Sequence, residues 1–200
     1  MQKIKKLEIS VALGLIVTIM LSVVSFGISC SDIRNSVLRL HILANSDSEA
    51  DQTIKLIVRD ELLRSGSELF SGDVSLENAE TYLSVNKNSL IAYINNILKN
   101  NGFEYKADVC LVKEYFETRV YDGFTMPAGE YLALKVILGN GEGHNWWCVM
   151  FPPLCLPAAT QNADIDMIFN EKDITVVKSS PEYEIRFKII EFVELIKSKF

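Results

Sequence analysis

The sequence predicts an α+β fold: a mostly antiparallel sheet of about four strands packed with helices, preceded by an N-terminal hydrophobic helix of export or anchor type. Three stretches predict it. Residues 38–63 alternate apolar and polar and then turn into a capped amphipathic helix, the apolar period becomes two from Tyr105 onward, and Ile9 to Ile28 is uncharged and almost wholly apolar. Two hundred residues, 48% of them hydrophobic, are enough for one real core with an appendage.

Lys3, Lys5 and Lys6 ahead of the apolar run give the pattern of an export signal with a basic flank. At about 20 residues the run is longer than a usual signal core and can cross a bilayer as a helix. Ser25 and Gly27 are small residues spaced for signal peptidase, whereas the length suits an uncleaved anchor, so cleavage stays open. The lysines remain cytoplasmic either way. Residues 1–30 are therefore signal peptide or membrane anchor, and 31–200 an extracytoplasmic domain. Cys30 raises the reading of a structural lipoprotein, against which Gly27 stands where a lipobox normally has Leu.

In the next element, Leu38, Leu40, Ile42 and Ala44 alternate with Arg39, His41 and Leu43, so a strand puts one apolar row on one face. Asn45, Ser46, Asp47 and Ser48 suit a tight turn and a helix start, with Ser48 and Asp51 placed as a capping box. Ala50, Ile54, Ile57, Val58 and Leu62 then form a helical stripe. Gly66 to Asp73 reads as a loop. Ser75 caps a second helix, whose stripe of Leu76, Ala79, Leu83, Leu90, Ile91, Ile94, Ile97 and Leu98 is ended by Gly102.

Strands are expected from Tyr105 to about Thr118, from Tyr131 to Leu138 and from Trp146 to Phe151, forming an antiparallel meander with the first strand brought in beside it. The direction of that first strand stays open. Asp122 to Gly129 is expected as an exposed connection, and Pro152, Pro153 and Pro157 end the sheet. Asp164 to Phe169 as a helical turn and Ile174 to Val177 as a short strand are unsettled. A last helix is capped by Ser180, starts at Pro181, and carries Ile185, Ile189, Phe192, Val193 and Ile196 on one face.

Charge excludes one class of partner. The chain has 20 basic and 26 acidic side chains; taking away Lys3, Lys5, Lys6 and Glu8 leaves 17 against 25, a net of −8, which repels nucleic acid. Outside the cytoplasm thiols tend to be oxidised, so Cys148 and Cys155 are expected to pair if the intervening prolines fold the chain back. A straight strand would hold their α-carbons beyond the limit of about 7 Å. Cys110 reads as a small core residue.

Catalysis finds little support in these residues. His144 lies four residues before Cys148, but in a strand that spacing is about 13 Å, and a disulfide would remove the nucleophile. His144, Cys148, Cys155 and Cys110 match no zinc spacing. Asp47, Glu49 and Asp51 mimic the opening of a calcium loop, yet Gln52 stands where that loop needs Gly. No catalytic residue, metal or cofactor is expected, and the alternative is an exported hydrolase with an unrecognised site.

The segment LRLHILANSDS, followed by Asp51-Gln52 and by Lys55, Val58, Arg59 and Asp60, resembles the opening signature of the stage II sporulation protein R family of endospore-forming bacteria. Gly141 to Cys155, GEGHNWWCVMFPPLC, resembles its second signature, and the resemblance covers roughly Asp32 to Phe200. It implies a signalling ligand without catalysis of its own. Such a protein is made in the forespore, passes its membrane and acts in the space between the two cells. There it triggers a membrane-embedded aspartic protease of the mother cell, which cleaves the precursor of sigma factor E. The candidate partner-binding face joins the turn at Asn45, Asp47 and Asp51 to the strand end at Trp146, Trp147, Pro152 and Pro153, with Arg39 and His41 as the polar residues of the first strand.

Overall fold

A computed structural model of the chain describes residues 2–69, 76–121, 124–152, 169, 171–178 and 184–197. The fold is α+β, and the chain divides into two compact units, one of Asn35–Phe116 with Glu130–Ile168, the other of Met1–Arg34, Glu117–Gly129 and Phe169–Phe200.

The first unit holds the larger sheet. Strands β1 (Leu38–Leu43), β2 (Ala107–Phe116), β5 (Gly129–Leu138) and β6 (Asn145–Phe151) lie in the order β2-β5-β1-β6. This corrects the expected meander, because β1 lies between β5 and β6, parallel to the first and antiparallel to the second. The reason is burial. Leu38, Leu40 and Ile42 are fully buried on one face and Arg39 on the other, a pattern that only a central strand covered on both sides can satisfy. Residues 139–144 must then step across two strand spacings, about 9.6 Å, to begin β6 on the far side of β1.

Helices α2 (Glu49–Leu69), α3 (Leu76–Val85) and α4 (Lys87–Asn100) pack on one face. Ile54, Val58, Leu62 and Leu63 of α2, Ala79 and Leu83 of α3, and Ile94 and Leu98 of α4 close a core with Leu40, Ile42, Val109, Leu134, Val136 and Met150. The expected α2 stripe is partly displaced, for Ala50 and Ile57 are exposed while Asp51 and Lys55 are buried. The helix also runs through Gly66, which the sequence reading placed in a loop. One glycine costs a helix only about 1 kcal/mol, less than the burial of Leu62 and Leu63 contributes. The long second helix is broken at Asn86 into α3 and α4, although Asn86 N–H still donates to Tyr82 O (3.0 Å) and Leu90 N–H to Asn86 O (2.9 Å). Gly102 (φ +83°) ends α4 as expected, letting Phe103 N–H reach back to Leu98 O at 3.0 Å.

The second unit contains α1 (Gln2–Asn35, its last residue lying in the first unit), the hairpin β3 (Arg119–Tyr121) and β4 (Phe124–Met126), α5 (Glu171–Val177) and α6 (Glu184–Lys197). The hairpin replaces part of the expected exposed connection. Phe124, Thr125 and Met126 are buried, with the Tyr121 and Phe124 rings stacked at 4.7 Å. Ile174 to Val177 falls within helix α5 and is no strand. Among the described side chains of α6, Phe187 and Ile190 are buried, and Ile189, Phe192, Val193 and Ile196 of the expected stripe face outward, the Ile185 side chain lying outside those described. The seam follows the partners on α1: Phe187 packs edge-on against Phe26 (5.3 Å between centroids) and Arg34 pairs with Glu194 at 3.5 Å. Ser75, Ser180, Pro181 and most of Asp164 to Phe169 lie outside the described residues.

Replacing Leu40, the centre of the buried strand, by Ala is expected to lower the unfolding free energy by about 2–5 kcal/mol, read from the shift in urea midpoint. A loss below 1 kcal/mol is incompatible with a core closed around β1.

Candidate functional site

The two signature segments, about a hundred residues apart, form one structure. Pairing of β1 with β6 sets His41 opposite Trp147, Ile42 opposite Trp146 and Leu43 opposite Asn145, so the turns that leave β1 and enter β6 lie side by side. Backbone bonds join them, Gly143 N–H to Ala44 O at 2.9 Å and Glu142 N–H to Asn45 O at 3.3 Å, while Asn45 Oδ1 accepts from Asn140 N–H at 3.0 Å. Glycine is required here: Gly139 (φ +57°) and Gly141 (φ +67°) take left-handed backbone, and a Cβ on Gly143 would run into the carbonyl of Ser46.

Asp51 organises the turn from below. Its carboxylate accepts from Ser46 Oγ (2.6 Å), Asn45 Nδ2 (2.9 Å) and Tyr105 OH (2.7 Å), while its own N–H donates to Ser48 Oγ at 3.2 Å. The capping box is therefore half-formed: Ser48 caps, but Asp51 is spent on the turn rather than on the amide of Ser48. Burial pushes the Asp51 carboxyl up, and the bonds from Ser46, Tyr105, Asn45 and Ser48 outweigh it, leaving it below the usual carboxylate range. Burial and the Asp51 acceptor raise Tyr105 well above an ordinary phenol.

A second charge, on the outside, clasps the other turn. Asp47 accepts from the backbone N–H of His144 (2.6 Å) and pairs with its Nδ1, and these bonds hold the Asp47 carboxyl low. Lys55, 4% exposed, donates to His144 O (2.8 Å) and to Gln52 Oε1 (2.5 Å). Its burial lowers the ammonium pKa, with Asp47 opposing and Arg59 adding to that shift.

On the opposite face of the sheet His41 donates or accepts at both ring nitrogens, Nδ1 to Glu114 Oε1 at 2.6 Å and Nε2 to Asn145 Oδ1 at 3.0 Å, and Glu114 also pairs with Lys135 at 3.1 Å. Trp147 stacks on the His41 ring (5.2 Å, 21°), and Arg39 lies over Phe116 and Tyr131 at 4.5 and 5.1 Å. Trp146 points the other way, against the core, with the Arg59 guanidinium 4.4 Å above its ring.

The candidate residues thus separate by exposure. Asp47 is exposed, Asn45, Trp146 and Trp147 are half-buried, and Arg39, His41, Asp51 and Pro152 are buried. Pro153 and Cys155 lie outside the described residues, and with them the Cys148–Cys155 pairing; Cys148 is buried in the core. The sequence reading quoted Gln52, Lys55, Arg59 and Asn145 within the signatures but left them out of the candidate face, and it missed Tyr105 and Glu114. Lys55 and Arg59 had a signal, since they stand one helical turn apart within the first signature and so share a helix face. Tyr105 and Glu114 had none, because only the strand order brings them in. Among the described residues no three His, Cys, Asp or Glu side chains converge as a metal site.

The architecture is that of an α+β protein carried behind an apolar helix of bilayer-crossing length, with a composite polar and aromatic face. Residues 34–161 match the family model of stage II sporulation protein R, and the chain belongs to that family; its role is a sporulation one. It is 37% identical over 123 residues to the stage II sporulation protein R of Bacillus subtilis (strain 168), a match covering 62% of this chain and 55% of that protein. The chain thus spans little more than half the length of that curated relative. No solved structure matches it.

Two outcomes follow from the joined turns. Asp51→Asn is expected to cost about 1.5–3 kcal/mol at neutral pH, the value of hydrogen bonds to a buried charge. Because the folded pKa values of Asp47 and Asp51 lie below the unfolded ones, their contribution is complete above the ordinary carboxylate value of about 4 and is lost as pH falls through the folded values. Urea midpoints between pH 6 and pH 2 should therefore fall less steeply for Asp51→Asn than for the parent, and parallel curves would contradict the role given to Asp51.

Proposed function

We propose that this chain is an exported sporulation signal that binds and activates a membrane-embedded aspartic protease of the mother cell, which then cleaves the precursor of sigma factor E. It is made in the forespore and acts in the space between the two cells. One observation carries the reading: both family signatures converge on one locked surface whose exposed members, Asp47, Asn145 and His144, stand beside the half-exposed Trp147. Its polar groups are largely spent on each other, which suits a rigid recognition face. Activation then requires that this face bind the working arrangement of the protease better than the resting one.

The hydrolase reading has one observation in its favour, the His41 imidazole on the Glu114 carboxylate, the pairing that orients a general base. Against it, His41 is 6% exposed and its second nitrogen already meets Asn145.

Co-expression with the protease and its precursor substrate in a host that does not sporulate separates the two. Cleavage is expected only when all three are present and this chain is exported. Trp147→Ala and Asp47→Ala, checked for folding by circular dichroism, should each reduce processing at least five-fold. Undiminished processing by both folded variants would falsify the assignment of the face, and turnover of peptidoglycan or peptides by the purified chain, abolished by His41→Ala, would establish the hydrolase instead.

A further inference from the structure

Helix α1 runs without interruption from Gln2 to Asn35 and changes character along its length. Up to Leu21 it is exposed, with Leu7, Ile9, Leu13, Leu15, Ile19, Met20 and Leu21 each at least 60% accessible. From Ser22 onward one side is covered: Phe26, Ser29, Cys30 and Ile33 are buried, while Val24, Ser25 and Ile28 stay exposed. Those buried residues belong to the fold: Phe26 packs on Phe187, Gly27 faces Ile190, and Arg34 donates to Ala128 O at 3.0 Å and pairs with Glu194.

Ser25 and Gly27, the pair read as spaced for signal peptidase, lie in this half of the helix, Ser25 exposed and Gly27 half-buried against Ile190. Proteolytic sites are ordinarily flexible segments, whereas this one lies within a continuous helix, and a cut after Gly27 would discard Phe26, a core residue of this unit. We propose that α1 is kept as an uncleaved membrane anchor whose outer end is an integral helix of the exported domain, so that this unit stands directly on the bilayer with no linker between. The bare part of α1 is the surface that lipid covers; left in water it is an apolar patch far beyond what a soluble chain tolerates.

The level of the membrane surface supports this. Starting at Ile9, just after the charged flank, about 17–20 helical residues cross the hydrocarbon and end between Ser25 and Ile28. At that level a cleft of about 320 Å³ is lined by Ser22, Ser25 and Ser29 of α1, Lys172 and Thr175 of α5, and Arg186 of α6. Hydroxyls and two cations are the side chains that a layer of lipid phosphates accommodates. The inference holds for whatever partner the other unit recognises, and it decides between the two fates that the N-terminal sequence leaves open.

The test is the intact mass of the full chain, carrying a C-terminal affinity tag and recovered from a sporulating culture after fractionation. The expected product retains residues 1–27, sediments with membranes, resists alkaline carbonate and is released by detergent, with its C-terminal tag open to protease added outside. A product beginning at or near Ile28, as the main species or in the soluble fraction, overturns the proposal. Either result leaves the protease assay above unaffected, so the two readings fail separately.

Discussion

The pairing of β1 with β6 is the constraint on which the rest depends. It places β1, with its fully buried Arg39, inside the sheet, and it brings a turn rich in short polar side chains against a turn rich in glycine. The second turn must approach the first by backbone alone. Gly143 is there because the Ser46 carbonyl occupies the space of a side chain, and Asn45 is there because one amide bonds Asn140 on one side and Asp51 on the other. Asn45 is half-buried and Asp51 buried, and the cost of drawing them from water is offset by the bonds that they make to the two turns and to each other. The two signatures therefore form a single interaction seen at two places in the chain.

That interaction also explains the division of labour among the site residues. Buried charges such as Asp51, Lys55 and Arg39 fix geometry, since an ion in a core is tolerable only when its bonds or ring contacts are supplied. Asp47, His144 and Trp147 sit at the rim, where they are both held and accessible. A recognition surface benefits from this arrangement because little ordering entropy remains to be lost on binding.

The two halves of α1 show the same principle in a different solvent. From Ile9 to Leu21 its exposed side chains are apolar except for Ser10 and Thr18, whose hydroxyls bond back to the carbonyls of Lys6 and Gly14, which is what a bilayer demands. Its outer residues obey the rules of a water-soluble core, with Phe26 and Ile33 buried and Arg34 held by a carbonyl and a carboxylate. In the anchor proposed above, one uninterrupted helix would serve both environments.

Local signals in the sequence determined the class of the fold, the apolar helix, the strand from Leu38, the capped start of α2, the Gly102 stop and the two signature segments. Each rests on periodicity, capping or backbone freedom, which act over a few residues. Strand order, the outward stripe of α6, the hairpin around Phe124, and the recruitment of Tyr105 and Glu114 were decided by tertiary structure alone. Their energies come from contacts between residues tens of positions apart, and a one-dimensional pattern states which side chains want burial without stating which neighbours will provide it.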